Sequence, residues 1–122
     1  MAKTVLIVDD DPKNLELFRD VLQVVGYTTI EATNGKQGIG LAKARQPSLI
    51  LLDIQMPIMD GFEALRILKG DATTRNIPII VLTSYAMKGD KERIFKAGCD
   101  GYIAKPVDID ELLKKVAECF PD

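Results

Sequence analysis

The sequence contains no histidine among its 122 residues, which removes imidazole general-base chemistry and any role as a histidine phosphocarrier. Its two cysteines, Cys99 and Cys119, lack the close spacing of a metal knuckle and have no histidine to complete one. They read as free thiols in a reducing compartment. Blocks of basic residues are missing too. The 16 Lys and Arg residues are scattered among 18 Asp and Glu, for a net charge of -2, so no broad positive field exists for direct nucleic-acid binding. No apolar run approaches membrane-spanning length, and the start Met-Ala-Lys-Thr-Val-Leu lacks the parts of a secretory signal. The expectation is a cytoplasmic protein with no membrane contact. Repeats, low-complexity segments and an interdomain linker are also lacking, so residues 1–122 read as one domain without an effector module. Whatever chemistry exists must use carboxylates, hydroxyls and lysines.

What the sequence does have is a set of short apolar runs, each ending in a polar residue. The plainest is Ser48 to Pro57, in which Leu49, Ile50, Leu51 and Leu52 lead straight into Asp53. Four aliphatic residues without polar alternation predict a strand covered on both faces, as in a parallel sheet between helices. Asp53 then falls at the carboxyl edge, where open α/β sheets bind their ligands.

Before it, Thr4 to Val8 predicts a first strand ending in Asp9, Asp10 and Asp11. Asp11 is a natural N-cap with Pro12 at the first helical position, and Leu15, Phe18, Val21, Leu22 and Val25 recur at helical spacing until Gly26. Tyr27 to Glu31 predicts a weaker edge strand. Asn34-Gly35 opens a second helix through Ala44, and Gln46-Pro47 ends it. Asp60 caps a third helix to about Lys69, with Phe62, Leu65, Ile67 and Leu68 as its apolar residues, and a polar linker follows from Asp71 to Asn76.

Ile79 to Leu82 predicts the fourth strand, ending in Thr83-Ser84-Tyr85, and the fourth helix is expected from about Asp90 to Ala97 because Gly89 would interrupt a longer one. Gly101 to Ala104 forms a short fifth strand delivering Lys105-Pro106. Asp108 with Glu111 resembles a capping box for a last helix whose inner face carries Ile109, Leu112, Leu113, Val116 and Phe120. Five strands alternating with five helices predict a doubly wound α/β fold on a parallel sheet.

That topology gathers Asp9, Asp10, Asp53, Thr83 and Lys105 at one sheet edge. Three carboxylates in one place repel unless a proton or cation joins them. An all-oxygen site favours a hard ion such as Mg2+, which keeps open positions for phosphate oxygens. Taken singly these residues have blander readings: Asp11, Asp60 and Asp108 are expected to be helix caps, and Thr83, Tyr102 or Lys105 alone could be ordinary packing or surface positions.

The motifs in register decide the matter. Val-Asp-Asp-Asp-Pro at 8–12, Leu-Leu-Asp-Ile-Gln-Met-Pro at 51–57, Met-Asp-Gly at 59–61, Leu-Thr-Ser at 82–84 and Lys-Pro at 105–106 make the chain resemble the receiver domain of two-component response regulators over essentially its whole length. The stretch from Tyr85 to Asp90 is similar to the stand-alone cell-division regulators of the DivK type. The resemblance implies a flavodoxin-like sheet of strand order 2-1-3-4-5. It implies that Asp53 accepts a phosphoryl group from the phosphohistidine of a sensor histidine kinase or histidine phosphotransfer protein. Mg2+ would be held by Asp10 directly, by Asp9 chiefly through water, by Asp53, and by the backbone carbonyl of Gln55.

The resemblance further makes Thr83 and Lys105 partners of the phosphoryl group, and Thr83 with Tyr102 a switch acting on the face of the fourth helix, fifth strand and fifth helix, where a downstream protein target docks. By the same resemblance, Gln55 and Tyr85 occupy positions that in the family tune acyl-phosphate hydrolysis. The Lys105-Pro106 bond is expected to be cis. One of Leu15 and Phe18 is expected to be partly exposed, since the family docks its kinase on the first helix. The protein is expected to be a monomer or weak dimer, and a phosphorylated signalling switch rather than an enzyme, able to assist its own phosphotransfer and dephosphorylation.

Other functions fit less well. A flavodoxin-like cofactor binder needs a phosphate-cradling loop after the first strand, where Asp9-Asp10-Asp11 would repel phosphate. A haloacid-dehalogenase-type, Mg2+-dependent phosphatase carries a second Asp two residues after its nucleophile, where this chain has Gln55. A receiver excised from a hybrid histidine kinase or a longer regulator is the nearest alternative.

Overall fold

The computed structural model describes residues 3–54, 61–83 and 88–120, with the backbone alone described at 88–91. Five strands and five helices alternate through these residues: β1 Thr4–Val8, α1 Pro12–Val24, β2 Thr28–Ala32, α2 Gly35–Arg45, β3 Leu49–Asp53, α3 Gly61–Gly70, β4 Ile79–Thr83, α4 Lys88–Lys96, β5 Gly101–Ala104 and α5 Ile109–Glu118. The strands form one all-parallel sheet in the order β2-β1-β3-β4-β5. The expected flavodoxin-like, doubly wound architecture is present.

Strand alternation splits the core into two layers. On one face Leu6, Val8, Ile50, Leu52 and Val81 pack with Leu65 and Leu68 of α3 and Ile94 of α4. On the other, Val5, Ile7, Leu49, Leu51 and Ile103 pack with Phe18 and Leu22 of α1 and Leu112 and Val116 of α5. All five residues of β3 are buried, which is why its sequence shows no polar alternation. Each fully buried Leu or Ile contributes roughly 1.5–3 kcal/mol.

The helix ends follow local chemistry. The Asp11 carboxylate accepts from the Lys13 N–H at 2.9 Å with Pro12 opening α1, and Asp108 accepts from the Glu111 N–H at 3.1 Å at the start of α5. Gly26, with φ of +101°, turns the chain out of α1.

Several expectations need correction. Tyr27 does not begin β2; its N–H donates to the Leu22 carbonyl, and its ring lies 5.6 Å from that of Phe120. Helix α4 starts at Lys88, ahead of the expected Asp90, so Gly89 lies inside it. In α3 Phe62, Leu65 and Leu68 are buried as expected and Ala64 with them, whereas Ile67 faces solvent. Leu15 and Phe18 are both buried, and the exposed apolar residues of α1 are Leu17 and, in its last turn, Val24. The linker after α3 is not wholly polar in role, because Thr74 is buried and its hydroxyl donates to the Leu68 carbonyl at 2.7 Å. Asp60, Ser84 and Tyr85 lie outside the described residues.

Candidate functional site

The strand ladders carry the reactive side chains to one edge. The Asp9 N–H donates to the Ala32 carbonyl, Ile54 N–H to Leu82, and Lys105 N–H to Thr83, so the sheet's hydrogen bonding continues one residue beyond β1, β3 and β5. Alternation then sets Asp9, Asp53 and Lys105 on the face of Ile7, Leu51 and Ile103, toward α1 and α5. This is also where strand order reverses, since β1 stands between β2 and β3.

Carboxylate oxygens of Asp9, Asp10 and Asp53 lie within 4.8 Å of one another, with Asp9 and Asp53 buried and Asp10 exposed. The Lys105 Nζ is 3.0 Å from Asp53 Oδ2. The sequence-predicted Asp9, Asp10, Asp53 and Lys105 are thus brought together. Asp9 is held on both oxygens: the Asp11 N–H donates to Oδ1 at 2.9 Å, and the Asn14 side-chain amide to Oδ2 at 3.2 Å. Its pKa is nevertheless raised to about 6, first by burial and then by the Asp53 charge, against the lowering effect of the Asp11 N–H, Lys105 and Asn14.

Three carboxylates held this close repel one another unless a cation joins them, and their all-oxygen donor set suits Mg2+ better than a softer metal. Asp9, Asp10 and Asp53 are the described residues that would hold it; Gln55 lies outside the described residues.

Thr83 is fully buried at the end of β4, and its carbonyl accepts from Lys105 N–H at 2.9 Å. Thr83 pairs with Ala104 and Val81 with Tyr102, so threonine and tyrosine lie diagonally on adjacent strands. Tyr102 is half-buried against the α4 side of the core, with its ring 6.3 Å from that of Phe95. The Lys105-Pro106 peptide is cis, as the resemblance implied.

Two contributors were not assigned roles from the sequence. Asn14 is one; its signal is an amide in the first turn of a helix that begins directly after the acidic loop. Gly61 is the other. A Cβ there would stand 2.6 Å from the Asp53 carbonyl oxygen and 2.3 Å from Ile54 Cα, so only glycine lets α3 begin against the end of β3.

The family model for the response regulator receiver domain matches residues 5–117. The chain belongs to that family. It is 43% identical over 122 residues to the polar-differentiation response regulator DivK of Brucella anthropi, covering all of this chain and 99% of that one, and 42% identical to DivK of Brucella ovis with the same coverage. Among solved structures it is similar to the receiver domain of a sensor histidine kinase from Pseudomonas aeruginosa PAO1, at 30% identity and a TM-score of 0.91 with full coverage of both chains. That structure has a magnesium ion coordinated in its active-site cleft. A CheY-like receiver domain protein from Methanospirillum hungatei matches at 32% identity and a TM-score of 0.90, over 97% of this chain and 93% of that one.

As a receiver domain of a two-component system, the protein is a signalling switch rather than a classical enzyme. No described helix is long and apolar enough to cross a membrane. Cys99 and Cys119 are both free, with burial pushing the Cys99 thiol up to about 11 and Cys119 upward too.

Proposed function

We propose that Asp53 is the phosphoacceptor of a phosphorelay. A carboxylate oxygen of Asp53 bonds to the phosphorus of a partner's phosphohistidine, the P–N bond breaks, and the imidazole nitrogen leaves with the electron pair and takes a proton from solvent. The observation that carries this reading is the ion pair between the buried Asp53 carboxylate and the partly exposed Lys105, beside Asp9 and Asp10.

In that step the Lys105 ammonium neutralises charge on the transferring group, and the ladder bond from Lys105 N–H to Thr83 keeps its backbone in place. Asp9, Asp10, Asp53 and the Gln55 carbonyl would hold Mg2+, which when bound supplies further charge neutralisation for phosphoryl oxygens. Asn14 and the Asp11 N–H orient Asp9. The phosphodonor, a sensor histidine kinase or histidine phosphotransfer protein, docks where Asn14, Leu17, Phe18, Lys105, Pro106 and Val107 line a hollow of about 250 Å³ beside the site. Leu17, 45% exposed on α1, is the apolar contact that the sequence left to Leu15 or Phe18.

The new phosphoryl oxygens recruit the Thr83 hydroxyl. Movement at Thr83 is relayed to Tyr102 and so to the α4–β5–α5 face, which a downstream protein reads. Intact-mass measurement with acetyl phosphate and Mg2+ tests the acceptor: wild type gains one phosphoryl group and Asp53→Asn gains none. Equal labelling of the two proteins would remove Asp53 from the role.

A further inference from the structure

A cleft of about 260 Å³ between α3 and α4 is lined by Phe62, Arg66, Arg93, Lys96 and Ala97. Its charged lining is entirely cationic, in a chain whose net charge is -2. Among the described residues none of the three cations forms an ion pair, and the described acids of the same helices, Glu63 and Glu92, do not line the cleft. The Arg93 guanidinium carbon lies 4.0 Å from the centre of the buried Phe62 ring. This stacking fixes one guanidinium and leaves its N–H edges available, so part of the ordering cost of an anionic contact is already met.

The exposure of the cations selects the kind of anion. Arg66, Arg93 and Lys96 all face solvent. A small free anion at exposed charges gains little, because water and salt screen each contact. Several carboxylates carried on one scaffold engage all three cations in a single event, which suits a protein surface.

We propose that the α3–α4 cleft docks an acidic segment of a partner protein, whose carboxylates pair with Arg66, Arg93 and Lys96. This surface and the hollow beside α1 lie on opposite faces of the sheet, since α3 and α4 cover one layer of the core and α1 the other. An acidic partner and a phosphodonor can therefore be bound together. The assignment stands on the cleft alone and does not require Asp53 to be phosphorylated.

The test is an amide NMR titration of the full chain with a helical peptide carrying glutamates at paired i and i+4 positions. Shifts should centre on Arg66, Arg93, Lys96 and Ala97, weaken with added salt, and vanish for the same peptide with glutamine in place of glutamate. The double variant Arg66→Gln/Lys96→Gln should bind about tenfold more weakly. Its labelling by acetyl phosphate should match the parent, so a fault in the phosphoacceptor reading would be seen separately. Absence of shifts at millimolar peptide, shifts centred elsewhere, or undiminished binding by the double variant would overturn the proposal. So would stronger perturbation of these residues by inorganic pyrophosphate or by anionic lipid vesicles, which would make the cleft a small-anion or membrane site.

Discussion

Lys105 Nζ reaches across the end of β4 to stand 3.0 Å from Asp53 Oδ2, joining residues that follow from strands β5 and β3. The ammonium is partly exposed and the carboxylate almost wholly buried, at 22% and 3%. A buried charge that loses its partner is destabilising, and an acceptor that loses its cation binds phosphoryl oxygens less well. Lys105→Met should therefore slow labelling by acetyl phosphate about tenfold or more. A mass-spectrometric time course measures it, and an unchanged rate would show that Lys105 is only a structural counter-ion.

Asp9 sets a dependence on pH. Its carboxyl titrates at 3.8 in the reference state and at about 6 in the folded chain, so the folded chain holds the extra proton between those values. The contribution of this group to stability is fully present below about pH 4 and is lost as pH rises through about 6. Asp9→Asn should be more stable than the parent at neutral pH by about 1–3 kcal/mol in the absence of Mg2+, and the difference should shrink under acidic conditions. Urea unfolding of both proteins across this window checks the sign; a variant less stable than the parent at neutral pH would contradict it.

Gly61 and Gly26 separate close approach from backbone strain. At Gly61 a methyl group would meet backbone atoms of Asp53 and Ile54, whereas at Gly26 it would meet nothing within 4 Å and only the φ of +101° is unfavourable. Gly61→Ala should cost about 2 kcal/mol or more and impair labelling of Asp53, because relief requires the end of β3 or the start of α3 to shift. Gly26→Ala should cost about 1 kcal/mol and leave labelling unchanged. Parallel unfolding and labelling of the two variants distinguishes these effects.

Lys69 ties together three segments at the opposite edge of the sheet. Its Nζ donates to Asp100 Oδ2 at 2.8 Å, to the Ile77 carbonyl at 2.9 Å and to the Arg75 carbonyl at 3.2 Å. Lys69→Met should lower stability by about 1–3 kcal/mol without changing the rate of Asp53 labelling. A labelling defect would mean that the clamp acts on the site through α3.

How much of this was readable beforehand follows from the range of each interaction. The buried run ahead of Asp53 and the acidic end of β1 are consecutive in sequence, and parallel pairing then brings Asp9, Asp10, Asp53 and Lys105 to one edge. Strand order 2-1-3-4-5 came with the motifs rather than from periodicity. Contacts between distant residues left little local trace: Lys69 and Asp100 are 31 positions apart, and Arg93 meets Phe62 only because α3 and α4 pack side by side. Leu17 falls off the helical spacing shared by Leu15, Phe18 and Leu22, so its exposure was legible in the period even though the exposed position was expected at Leu15 or Phe18. Gly61 was legible as part of a motif, while its role depends on a backbone approach that composition does not encode.

A crystal structure with Mg2+ and beryllium trifluoride would test the central claim most directly. The account predicts the trifluoride on an Asp53 oxygen, contacted by Lys105 and the Thr83 hydroxyl, and one magnesium ion bound by Asp10 and Asp53 with Asp9 behind an intervening water. An Asp53 left bare, with the three carboxylates turned away from one another and no ion among them, would contradict it.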